Sequence, residues 1–189
     1  MVTIYHKNTG VVLWQTRADM LQGADLSHAN LFSADLKGMN LAHANLIDTQ
    51  MADARLLGTD LTGAIMTRAV LDGANLHYAT LAYTTLHGST LRNANLSNAD
   101  LSYATLCEAV LTGTNMTEAM LLKTIFSGCT DLHLAVGLDS VHHAGPSALD
   151  QVTLRSCVAQ LSQEFLAGVG YGTVEVAALR AIYPTVSCL

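Results

Sequence analysis

The chain has little of what nucleic-acid binders, membrane proteins and most enzymes depend on. Lys and Arg number 9 against 15 Asp and Glu, for a net charge of −6, and they form no basic run. That balance excludes direct nucleic-acid binding as a leading role. Half of the residues are hydrophobic, yet nowhere do about 18 apolar residues follow one another, so no membrane span is indicated. The first residues, Met1 to His6, lack the apolar core of a signal peptide. Four cysteines (Cys107, Cys129, Cys157, Cys188) stand far apart without a CxxC. Their spacing argues against a disulfide framework or zinc site and for a reducing compartment, so a cytoplasmic protein is expected. Phosphate-binding loops and nucleophile motifs are missing. None of the eight histidines lies 20 residues from another, and the adjacent His142-His143 is too little to hold a metal. Neither an enzyme nor a cofactor or metal site is expected.

What is present is a five-residue period. Positions 21, 26, 31 and onward to 121 are 21 consecutive sites, all Leu except Met51, Met66 and Met116, and Phe126 extends the column. Two residues before nearly all of them stands a small residue, as at Ala24, Ala29, Ala74 or Ala99, with Asp or Asn often between. A fixed period outranks local propensity. Along an α-helix five residues advance the side chain by about 140° net, which scatters the leucines over every face. In a flat strand an odd spacing sends successive leucines to opposite faces. The chain must instead turn through the same angle every five residues, and the coils stack into a solenoid.

These residues resemble the pentapeptide-repeat family, whose motif is a small residue, Asp or Asn, Leu and two variable positions; the resemblance covers about residues 18–126. It implies an all-β solenoid, a right-handed quadrilateral β-helix with four pentapeptides per coil. The tower would have a little over five coils and stand about 25 Å tall. Residues 20 apart should then stack, and the sequence agrees: Asp35 with Arg55, Asp48 with Arg68 and Asp72 with Arg92 pair opposite charges. Asn75, Asn95 and Asn115 make a further column.

The expected organisation is an N-terminal β cap over residues 1–17, the repeats over 18–130 and a helical cap or linker over 131–189. Val2 to His6 and Val11 to Trp14 read as a hairpin around Asn8-Thr9-Gly10. The pattern breaks at residue 131, and residues 133–145 look irregular. Helices are expected from a Ser147 cap through Val158, from Gln163 to Ala167 before Gly168, and from Val174 to Tyr183 before Pro184. Gly137 to His143, Gly145-Pro146-Ser147, Phe165 to Gly170 and Ile182 to Cys188 are similar to a linker that joins pentapeptide repeats to a TIR domain in some bacterial proteins.

Function on such a tower falls to its outward positions. Tyr83 and Tyr103 share one column and Tyr78 lies on the next corner, so these three are the candidate partner-binding residues; the alternative is a ladder that only covers the corner. Leu154, Val158, Phe165, Leu179 and Ile182 are candidates for covering the upper coil over Leu111, Met116, Leu121 and Phe126, or for joining two copies as a homodimer. The leading expectation is a non-catalytic protein-interaction or oligomerisation scaffold, with a TIR-linked bacterial signalling or defence protein as one setting. The alternative implied by the family is a DNA mimic that binds and protects DNA gyrase. Charge weighs against it: residues 18–126 carry ten acidic and five basic side chains, where a duplex about 25 Å long carries roughly 15 phosphates.

Overall fold

The computed structural model describes residues 1–184; the end of the linker-like stretch, from 185 through Cys188, lies outside the described residues. Between residues 21 and 128 the five-residue period becomes a four-sided coil. Parallel bridges join Asp25 to Asn45, Asn30 to Gln50, Asp35 to Arg55 and Asn40 to Asp60, and the same 20-residue offset recurs up the tower. Each rung uses both backbone groups: Leu26 N donates to Asn45 O at 2.8 Å, and Asn45 N donates to Ala24 O at 2.9 Å. The sides are short, so regular strands are few. Ala34–Asp35 (β3), Thr105–Cys107 (β4), Met120–Leu121 (β5) and Ile125–Ser127 (β6) are all of two or three residues.

Each position of the motif has a separate physical task. The Leu column from Leu26 to Leu121 is sealed from solvent, and the small residues line the other inward column. Where that small residue is Thr, its hydroxyl is satisfied: Thr49 Oγ1 donates to Leu26 O at 3.0 Å and Thr114 Oγ1 to Leu91 O at 2.7 Å. The Asp or Asn accepts from the backbone two residues on, as in Thr62 N to Asp60 Oδ1 at 3.0 Å and Ser97 N to Asn95 Oδ1 at 3.1 Å. Two residues after each Leu the backbone is left-handed, at all 22 such positions from 23 to 128, only eight of them glycine. This repeated reversal of hand makes the corner. A turn bond then closes it, for example Ala24 N to Leu21 O at 2.9 Å.

At the N-terminus Val2–His6 (β1) and Val12–Thr16 (β2) form an antiparallel hairpin with an irregularity between Ile4 and Tyr5. The other edge of β1 pairs antiparallel with β3. Ile4 is buried in the common core, and Val2, Leu13 and Trp14 pack against it.

Residues 131–150 differ from the sequence expectation. They continue the tower as one widened coil. Asn115 bridges Val136, Met120 pairs with His142 in His142–His143 (β7), and Ile125 pairs with Ala148 in Ala148–Leu149 (β8), all parallel. The offset therefore grows from 20 to 21, 22 and 23, because each side has gained a residue. Single 3-10 turns at Leu132–Leu134 and Leu138–Ser140 take up the extra length. The inward column runs on at a six-residue spacing through Cys129, Ala135, Val141, Ser147 and Thr153, all of them buried except the half-buried Ala135. Asp131 replaces a backbone acceptor there: its carboxylate takes Leu111 N at 2.9 and 3.1 Å and Thr112 Oγ1 at 2.5 Å.

Three short helices follow. Gln151–Cys157 (α1) is capped by Asp150, whose Oδ1 accepts from Thr153 N at 2.8 Å. Ser147, the expected cap, is unavailable because it sits in the inward column. Gln163–Val169 (α2) starts at Ser162, whose Oγ accepts from Phe165 N at 3.0 Å, and ends at a left-handed Gly170 rather than at Gly168. Thr173–Ile182 (α3) stops before Pro184, as expected. Arg180 ties α3 back, donating to Val158 O at 3.3 Å and Leu161 O at 2.6 Å.

Candidate interaction face

One side of the tower differs from the other three. Its centre line is Asn40, Asp60, Thr80, Asp100, Met120 and His142, linked rung by rung. One bounding corner carries Tyr78 above Gly58. The other carries His43, Gly63, Tyr83, Tyr103 and Lys123 in ascending order. All three tyrosines adopt the left-handed corner conformation. Tyr78 and Tyr83 are 61% and 60% exposed, and Tyr103 is 36% exposed.

The 20-residue register puts Tyr83 and Tyr103 face to face, with centroids 4.7 Å apart and planes within 5°. Lys123 Nζ lies over the Tyr103 ring at 5.8 Å from its centroid, so this stack already accepts a cation from above. On the opposite corner Tyr78 leans on His77 at 4.1 Å, and His77 Nδ1 lies 2.8 Å from both Ser97 O and Ser97 Oγ. The side is thus held stiffly from both edges. The geometry can present flat aromatic surface. It offers no convergent set of reacting groups.

The charged columns elsewhere are internally paired. Arg55 meets Asp35 at 3.2 Å, Arg68 meets Asp48 at 2.6 Å and Arg92 meets Asp72 at 3.6 Å. Hydrogen bonding to Arg68 also holds the Asp48 carboxyl below its usual range. Within the asparagine column the amides meet at 3.4 Å. His142 Nε2 lies 2.6 Å from Glu118 Oε2, a pair the sequence hid because the offset has grown to 22 here and the contact runs diagonally, two residues off the stacked register. Burial pushes the Cys129 thiol up to about 12 and the Cys157 thiol upward too, so both stay protonated. Cys107 is half-buried. Among the described residues no group of three or more His, Cys, Asp or Glu is placed to hold a metal.

The helical candidates separate by burial. Leu154, Val158 and Phe165 are buried within the chain, and Leu179 is partly buried against the same core. Ile182 is 64% exposed and has Val174, 81% exposed, on the same short helix. Among the described residues no single helix is long and apolar enough to cross a membrane.

A sequence model of pentapeptide repeats, in eight copies, matches residues 20–58, 54–93 and 94–130. No curated protein matches the sequence. Among solved structures the chain is similar to HetL, a pentapeptide repeat protein involved in heterocyst differentiation regulation from the cyanobacterium Nostoc sp. strain PCC 7120. It shares 29% identity with HetL over 69% of this chain and 61% of that one, with a TM-score of 0.42. It is also similar to alr5209, a pentapeptide repeat protein of Nostoc PCC 7120, at 32% identity over 43% of this chain and 68% of that one, with a TM-score of 0.43. QnrB1, a plasmid-mediated fluoroquinolone resistance protein, shares 16% identity over 69% and 85% of the two chains, with a TM-score of 0.36. With eight matched copies spread over most of the tower, and a four-sided coil built from each run of four, the chain belongs to the pentapeptide repeat family.

Proposed function

We propose that this chain is a non-catalytic cytoplasmic scaffold that recognises a protein partner through the side between Tyr78 and Tyr83. The observation that carries the reading is the stack of Tyr83 on Tyr103, half-exposed at a corner where glycine would be the unstrained choice. Rigid aromatic surface gains contact area at small entropic cost, the property that makes tyrosine frequent in interfaces. In a protein continuing into a TIR domain the tower would position that domain beside its target. The same proposal gives the C-terminal helices a second role, pairing two copies through Val174 and Ile182. Light scattering reads that role directly: a doubled mass is expected, and a strictly monomeric mass removes it.

Replacing Tyr83 and Tyr103 together by Asn, which the corners already accept at Asn93 and Asn98, is expected to abolish association while leaving the unfolding midpoint nearly unchanged. Associations that survive the double change make the stack a purely structural ladder. A gyrase supercoiling assay separates the DNA-mimic reading, and no inhibition is expected.

A further inference from the structure

We propose that the tyrosine-bounded side receives an extended cationic segment of the partner, with a basic side chain at every third residue. The inference rests on the contact-face reading above and supplies the chemistry of what binds there.

Two carboxylates decide the sign of the partner. Asp60 and Asp100 lie on the centre line between the tyrosine corners, separated by Thr80. One oxygen of each closes a local turn, Asp60 Oδ1 on Thr62 N at 3.0 Å and Asp100 Oδ1 on Ser102 N at 2.9 Å. The second oxygen of each has no hydrogen-bond partner, and neither residue is in an ion pair, among the described residues. Asp35, Asp48 and Asp72 each have an arginine stacked one coil above; the stacked neighbours of Asp60 and Asp100 are Asn40, Thr80 and Met120. Among the other charges on this side, Glu118 is occupied by His142 and Lys123 by the Tyr103 ring. Lys37 lies low beside the Tyr78 corner, in the column of His77 and three coils below Ser97.

Aromatic faces and a free carboxylate are jointly what a guanidinium or ammonium seeks. Lys123 on Tyr103 is an internal example of the first contact. Spacing then selects the backbone of the guest. Two coils separate Asp60 from Asp100, about 9.6 Å along the tower. A polyproline II segment repeats every three residues, about 9.3 Å, and returns side chains to the same face. A β-strand covers a similar length in three residues but turns the third side chain away. An α-helix rises only about 1.5 Å per residue and would need basic residues about seven apart to meet both carboxylates.

The probe is a fluorescein-labelled peptide with three arginines, each separated by two prolines, and the reading is anisotropy with the full chain at low salt. Binding is expected, and at least tenfold weaker binding when citrulline replaces arginine. Asp60→Asn with Asp100→Asn should weaken it by a similar factor, in a protein that keeps its fold because Asn already serves this position at Asn40, Asn75 and Asn95. Absence of arginine-peptide binding, equal binding of the citrulline peptide, or indifference to the two Asp changes overturns the cationic inference. Should the peptide bind the Asp double variant normally but lose affinity when Tyr83 and Tyr103 become Asn, the contact-face reading stands and the charge argument alone falls. Should the tyrosine change leave binding untouched, both fall.

Discussion

Leu76 shows what a single inward residue contributes. It is fully buried in the middle of the tower, and the coils above and below are fixed by backbone rungs that cannot close in on a vacancy. Leu76→Ala is expected to cost about 2–5 kcal/mol, read as a lower urea midpoint. Asp150 sets a second test at the same scale. Burial raises its carboxyl, but donors from Thr153, Gly128 and Ser127 outweigh that and bring it down to about 2, against 3.8 for the free group. A depressed carboxyl stabilises the fold above its unfolded value and loses that contribution as pH falls toward 2. Asp150→Ala should therefore lower stability by about 0.5–2 kcal/mol at pH 7, and the gap to the parent protein should close in acid titrations of the unfolding midpoint. The Leu column and the small column were legible because each has one chemical demand. The left-handed corner was not: it is filled by Gly, Asn and Asp but also by Tyr78, Arg68, Glu108 and Lys123, so no composition marks it.

At the scale of elements, legibility follows the period. The 20-residue register predicted the Tyr83–Tyr103 stack and the arginine–aspartate pairs because every coil up to residue 128 has the same length. Residues 131–150 escaped the same logic. Their sides have six residues, one inward column mixes Cys129, Ala135, Val141, Ser147 and Thr153, and the leucine column survives only as Leu132 and Leu138, six residues apart, before Ala144 ends it. The widened coil also creates a titratable contact under α2. The His143 ring meets Phe165 edge-on with centroids 5.5 Å apart, and a Cβ added at Gly168 would lie 2.1 Å from the ring. Burial alone pulls its pKa below the ordinary 6.5. The unfolded chain then takes the proton more readily, so this contribution to stability is intact above pH 6.5 and declines below it. His143→Leu should remove that decline from the pH dependence of the unfolding midpoint between pH 7 and 5. An unchanged slope would mean that the ring gains solvent before it gains charge.

The whole molecule is a stack in which nearly every coil depends on its two neighbours, so a surface feature on one side stays fixed relative to the others. That rigidity turns three tyrosines into a directional face rather than three scattered aromatics. Site-specific photo-crosslinking in cells tests this most directly. With p-benzoylphenylalanine in place of Thr80, Tyr83 or Tyr103 on the tyrosine side, and of Gln50 or Thr90 on the side facing away from it, the account predicts one discrete adduct from the first three positions and none from the last two. Adducts spread evenly over both sides, or confined to Gln50 and Thr90, would contradict it.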